Sequence, residues 1–189
     1  MTSWRSWSEL LQAPHPIIHF MKPFLETYGG QTLAQLIGMQ ATHRIDSLVL
    51  AIEQAIEQSM VTRPALDLTE AELTVLSVEA LEREVNNGGY EQFFINSSSE
   101  YTKAIVPALE RIGCPLVAAI TGDAIGALGL PEDFSPDMVS DHASELPDGV
   151  EEHLEMCDAR YFRNKEDIEG QLFAYIQRNQ HDIRLPIPG

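Results

Sequence analysis

The chain has 189 residues, of which 12 are Lys or Arg and 29 are Asp or Glu, so its formal charge at pH 7 is −17. The hydrophobic share of 44% is too large for a disordered acidic tail. The shortage of cations argues against direct binding to nucleic acid, and against an anionic membrane surface, because both present negative charge. The class of protein that these exclusions leave is a globular domain with a buried core.

The first residues contain no apolar signal region, and no apolar stretch reaches the roughly 18 residues that a membrane span needs. The two cysteines, Cys114 and Cys157, are too few for a disulfide framework. We therefore expect a cytoplasmic protein with reduced, structural cysteines. His15 and His19 have helical spacing but lack the glutamate of a zinc motif, so we expect neither a metal nor a cofactor.

Helical periodicity dominates the chain, and strand signals are almost absent. Prolines divide the N-terminal stretch into short helices, the second over residues 17–28. Apolar residues spaced by three to five predict one long helix over residues 33–60. Thr69 and Glu72 have the spacing of a capping box and predict the start of the next helix.

That helix is expected to stop at Asn86-Asn87-Gly88-Gly89, because Asn and Gly tolerate the backbone conformation that ends helices. Pro115 suits the first turn of a helix. Residues 131–146 are polar and contain several prolines, which suggests irregular structure. Asn164 is expected to cap the last helix. The predicted fold is all-α, a compact multi-helix bundle with an N-terminal helical extension. We place the extension at residues 1–63 and the main domain at residues 64–189.

The negative charge is concentrated in two segments. Residues 132–169 hold 13 acidic residues against three basic ones, and residues 67–84 hold six against one. Such a surface either keeps a protein soluble or binds a cationic partner, because a field of one sign steers an opposite surface. The candidate partner-binding residues are Glu72, Glu79, Glu82, Asp133, Asp137, Asp141, Glu145, Asp148, Glu151, Glu152 and Glu155.

A second candidate site is the corner that contains Asn86, Asn87, Tyr90 and Gln92. These side chains could form the pocket of a small-molecule-binding protein or a hydrolase. Alternatively, the amides satisfy helix ends while the aromatic residues fill the core. A third hypothesis gives the N-terminal extension the role of inhibiting one cognate protein.

The run of residues 84–98, Glu-Val-Asn-Asn-Gly-Gly-Tyr-Glu-Gln-Phe-Phe-Ile-Asn-Ser-Ser, resembles the signature of the bacterial DNA-mimic-like family. Residues 104–113 and 157–162 are similar to later elements of that family, and the likeness spans residues 68–180. The resemblance implies an all-helical protein, often a homodimer, without catalytic residues. It also implies that at least one relative is an acidic decoy that occupies the DNA-binding surface of a transcription factor. We therefore expect this chain to bind the basic surface of a DNA-binding protein or transcription factor by mimicking the charge of duplex DNA.

Overall fold

The computed structural model describes residues 22–61 and 68–186, and every regular element in these ranges is helical. Short 3₁₀ turns follow α1, α3 and α8. The all-α prediction is confirmed. His15, His19 and residues 62–63 lie outside the described residues. The helices are α1 (Leu33–Gly38), α2 (Ile45–Met60), α3 (Glu70–Ile95), α4 (Thr102–Ile112), α5 (Pro115–Ala127), α6 (Pro136–Ser144), α7 (Val150–Arg163) and α8 (Ile168–Arg178).

Helix α3 is the centre of the bundle and contacts α2, α4, α6, α7 and α8. Its side chains Leu81, Phe93 and Phe94 are fully buried. Leu48 and Ile52 of α2 are also fully buried and belong to the same hydrophobic core. Helix α2 therefore packs as a part of the bundle, although it precedes the domain boundary predicted from the sequence.

The N-terminal helices differ from the prediction. Instead of one helix over residues 33–60, the chain turns between α1 and α2, where the backbone N–H of Arg44 donates to the carbonyl of Pro23 at 3.0 Å. The apolar spacing continues through the turn because both helices pack on one core. Residues 22–28, the described part of the predicted helix 17–28, are irregular.

Helix α3 begins and bends where the sequence predicts. The Thr69 hydroxyl accepts from the N–H of Glu72 at 3.1 Å, and the Glu72 carboxylate accepts from the N–H of Thr69 at 3.0 Å, which confirms the capping box. Gly88 (φ −161°) and Gly89 (φ 79°) interrupt the helical backbone. The helix therefore bends at the predicted stop. The segment after the bend, which contains Tyr90, Phe93 and Phe94, is helical again and ends at Ile95.

The C-terminal half contains one confirmed prediction and two errors. Pro115 occupies the first turn of α5, as expected. The stretch predicted to be irregular instead contains α6, whose N-cap Ser135 accepts from Met138 N at 3.3 Å. Asp167 caps α8 through the N–H of Gly170 at 3.0 Å, whereas Asn164 ends α7.

Candidate functional site

The acidic segment, defined here as residues 132–155, contains nine carboxylates and neither Lys nor Arg. All nine of these residues are exposed, and within the described part of the chain none of them forms an ion pair. Their charges are therefore presented to solvent without internal neutralisation. The nine residues are Glu132, Asp133, Asp137, Asp141, Glu145, Asp148, Glu151, Glu152 and Glu155.

The amphipathic pattern of α6 and α7 directs the carboxylates on these two helices outward. Asp137 and Asp141 are exposed on α6, while Val139, between them in sequence, is buried. On α7, Glu151 and Glu155 are four residues apart and exposed. Side chains four residues apart are displaced by about 6 Å along a helix. Because α6 and α7 both pack on α3, the core fixes both acidic rows.

Glu72 does not belong to this exposed set, and its predicted place on an outer face is wrong. Its side chain is fully buried at the start of α3. Its carboxylate accepts from the Arg184 guanidinium at 3.0 Å and from the Arg184 backbone N–H at 2.8 Å. Glu72 thus holds the C-terminal segment on α3 and is unavailable to a partner.

Glu79 and Glu82 line a cleft with a volume of about 390 Å³. Helices α2, α3 and α8 contribute its walls, and no residue of the acidic segment takes part. We call it the carboxylate cleft, because four of its residues are acidic. Its lining is Phe24, Asp46, Leu50, Glu79, Glu82, Arg83, Asn86, Asn87 and Glu169.

The two glutamates of α3 in the carboxylate cleft have raised pKa values. Burial, helped by the charge of Glu169, raises the pKa of Glu82 to about 7, and the Tyr161 hydroxyl donates to its carboxyl group. The side chain of Glu79 is half-buried in the wall of the cleft. Burial first, then the charges of neighbouring glutamates including Glu53, raises the pKa of Glu79 well above its ordinary value.

The two arginines at the cleft are each paired with a carboxylate. The Arg83 guanidinium donates to the buried Glu53 at 2.7 Å, and Arg44 pairs with Asp46. Burial, together with the charge of Asp46, raises the pKa of Glu169. Among the described residues, Glu79 has neither a hydrogen bond nor an ion pair. Glu79, Glu82 and Glu169 therefore have no ion-pair partner among the described residues.

Asp46 and Glu169 are cleft residues that sequence reasoning missed. They stand on α2 and α8, more than 100 residues apart in the chain. The only signal available from the sequence was the helical spacing of Glu79 and Glu82, which places two carboxylates on one face of α3. Their convergence with α2 and α8 is a result of tertiary packing.

The four polar residues of the Asn86–Gln92 corner do not line one pocket, which corrects the alternative site. Tyr90 is fully buried and its hydroxyl lies 2.8 Å from that of Thr121. The Gln92 amide donates to Glu84 at 2.8 Å and borders a separate groove of about 260 Å³. Asn86 and Asn87 line the carboxylate cleft instead.

Other sequence candidates are integrated into the core. Cys114 and Cys157 are buried and free, and burial raises the pKa of the Cys114 thiol to about 11. Burial also raises the pKa of the Cys157 thiol. Over residues 22–61 and 68–186, no three His, Cys, Asp or Glu side chains are arranged to hold a metal ion. The same ranges contain no helix with the length and apolarity to cross a bilayer.

Comparison with known protein families supplies an independent finding. Residues 66–179, more than half of the chain, match the family described as DMP19-like protein. The chain belongs to the family of DMP19-like proteins. The matched region begins just before α3 and ends after α8, so the DMP19-like part contains the acidic segment and every cleft residue from α3 and α8. Comparisons with curated proteins and with solved structures found no match.

Proposed function

We propose that this DMP19-like protein is an acidic protein-binding module that mimics DNA and occupies the basic surface of a DNA-binding protein. The observation that carries this proposal is the acidic segment, with nine exposed carboxylates and no Lys or Arg. Duplex DNA presents about one negative charge per 1.7 Å of its axis. Carboxylates on one helix are more widely spaced, so both α6 and α7 contribute to the mimic.

Unneutralised carboxylates are costly for the folded protein because they repel one another. Elsewhere in the described chain, arginines pair with carboxylates, as Arg111 does with Glu70 and Arg160 with Asp123. The acidic segment lacks such pairs. This contrast supports a role in which an external cationic surface supplies the missing partners, and it favours binding over catalysis. We also propose that the protein is a homodimer and that it acts in the reducing environment of the cytoplasm.

The test uses the purified chain as bait for proteins from the cells that produce it, with elution by increasing NaCl. We expect a DNA-binding protein to bind at about 0.1 M salt and to be released by about 0.5 M, because screening weakens exposed charge contacts. The released protein is then bound to duplex DNA, and the chain is added as competitor. Failure to displace the DNA would contradict mimicry.

Two variants that lose the same number of negative charges distinguish the effect of the acidic segment on partner binding from the effect of net charge. D141N/E145Q/E155Q removes three charges from the segment, and E57Q/E91Q/E110Q removes three exposed charges elsewhere. We expect the first variant to weaken partner binding at least about tenfold, which corresponds to 1.4 kcal/mol, and the second to bind nearly as well as the wild type. Equal losses in both variants would show that only net charge matters.

A further inference from the structure

The carboxylate cleft is a cavity for which the proposed DNA mimicry gives no role. Its volume of about 390 Å³ falls within the range of small-molecule sites. Its walls combine four acidic groups, the guanidinium of Arg83, the side-chain amides of Asn86 and Asn87, and the apolar side chains of Phe24 and Leu50. A pocket with four acidic residues, one arginine and an apolar wall is suited to a cation attached to an aliphatic or aromatic body.

Glu79 is the feature that points to a ligand. Its side chain is half-buried and lines the cleft, and among the described residues its carboxyl group has neither a hydrogen bond nor an ion pair. A carboxyl group that is partly removed from water is normally paired or hydrogen-bonded, because ionising it without a partner is unfavourable. Arg83, which lines the same cleft, donates to Glu53 instead. The cleft therefore presents an acceptor without a donor.

The chemistry of the walls favours a guanidinium group over a metal ion. A metal requires at least three ligands that converge, and the described residues contain no such group. A guanidinium is planar and has five N–H donors, so it can reach carboxylates and amide oxygens on different helices together. Guanidinium groups also pack on aromatic rings, as Arg44 does on Phe24, with 5.6 Å between its central carbon and the ring centroid.

We propose that the carboxylate cleft binds a guanidinium group carried on an aliphatic stem, with Glu79 and Glu169 as its principal acceptors. The stem would lie along Leu50, and the amide oxygens of Asn86 and Asn87 would complete the recognition. This site does not depend on the proposed DNA mimicry, because no residue of the acidic segment lines the cleft. Either a free small molecule or an arginine of a protein has the required chemistry.

The site is tested with butylguanidine as the probe and butylurea as its neutral, planar isostere. Titration of the full chain is followed by calorimetry and by NMR chemical shifts. We expect saturable binding of butylguanidine, with shifts at α2, α3 and α8, and at least about tenfold weaker binding of butylurea. Equal binding of the two probes, or no saturable binding of butylguanidine, would overturn the proposal.

Three variants locate the interaction. E79Q and E169Q each remove one cleft carboxylate, and E155Q removes an exposed one outside the cleft. We expect E79Q and E169Q to weaken butylguanidine binding about tenfold, and E155Q to leave it unchanged. E169Q alters an exposed residue and so keeps the test valid if E79Q misfolds. Wild-type affinity in E169Q and in a folded E79Q would overturn the proposal.

Proton release provides a second readout. A bound cation stabilises ionised carboxylates, so butylguanidine should release protons at pH 7 and bind about tenfold more weakly near pH 6. Calorimetry in buffers of different ionisation enthalpy measures the release. The absence of proton release would contradict the assigned geometry.

The ionisable groups that face the cleft glutamates from all neighbouring helices are Arg44, Asp46, Glu53, Arg83, Tyr161, Asp167 and Glu169.

The source of the guanidinium is distinguished by comparing butylguanidine with N-acetyl-arginine methylamide, which adds a peptide backbone. If the peptide-like probe binds at least as tightly, the cleft accepts an arginine from a protein. If only butylguanidine binds, the cleft accepts a free small molecule. Both results support the site. If the two probes bind at the same time in a competition experiment, without displacing each other, they do not share one cleft and the proposal is overturned.

Discussion

At the scale of single residues, Glu82 connects pH to stability. Its pKa rises from 4.5 to about 7 on folding, so between these values the native state binds more protons than the unfolded state. Stability must therefore fall as pH rises through this window, and the loss levels off above pH 7. The shift corresponds to about 3 kcal/mol at most.

We accordingly expect E82Q to be more stable than the wild type at pH 8, by about 2 kcal/mol, and nearly equal to it at pH 4.5. The glutamine retains an acceptor for the Tyr161 hydroxyl but cannot ionise. Urea denaturation at the two pH values measures the difference. E155Q is the control because its carboxylate is exposed. An unchanged pH dependence in E82Q would contradict the assignment.

A second residue-scale prediction concerns the buried carboxylate of Glu72. R184A removes the guanidinium 3.0 Å from this carboxylate and leaves it with fewer donors in the core. We expect a loss of about 2–3 kcal/mol in the free energy of unfolding, because the buried carboxylate loses a cationic partner. The double variant E72Q/R184A should recover part of that loss. Additive losses in a double-mutant cycle would show that the two side chains are not coupled.

At the scale of elements, the bend in α3 depends on Gly89. Its φ of 79° and ψ of −174° are accessible essentially to glycine alone, and a Cβ there would clash with the carboxylate of Asp158. That carboxylate accepts from the N–H of Tyr90 at 2.8 Å and so caps the turn that follows.

We expect G89A to destabilise the protein by about 3 kcal/mol or more, since it combines backbone strain with a steric clash. G126A is the matched control: Gly126 is inside α5, and a Cβ there would meet no atom within 4 Å. It should be neutral or stabilise the protein by up to about 1 kcal/mol. Chemical denaturation compares the two variants, and similar effects would refute the role of the bend.

These elements also show what the sequence can predict. The Thr69–Glu72 box and the stop at Gly88–Gly89 were predictable because their determinants are adjacent in the chain. The turn near Arg44 was missed because its hydrogen bond reaches back to Pro23. The cleft was missed for the same reason: Glu169 reaches α3 only through the packing of α8, which no local pattern encodes.

At the scale of the whole molecule, the formal charge of −17 is expected to oppose folding at low ionic strength. Nine of the exposed carboxylates fall within the acidic segment, so their mutual repulsion is stronger than for charges spread evenly. Added salt screens this repulsion, because the Debye length falls from about 30 Å at 0.01 M to about 3 Å at 1 M. We therefore expect the thermal midpoint to rise between 10 mM and 500 mM NaCl.

The variant D141N/E145Q/E155Q should raise the midpoint in 10 mM NaCl by about 3 °C, equivalent to roughly 1 kcal/mol, and should respond less to salt. All three positions lie outside the first turns of α6 and α7, where acidic side chains stabilise a helix. E57Q/E91Q/E110Q changes the net charge equally but at scattered sites, so its midpoint should rise less. Scanning calorimetry of the three proteins at both salt concentrations decides the matter. Identical midpoints for the two variants would mean that the segment has no concentrated field, and the structural basis for mimicry of DNA would be lost.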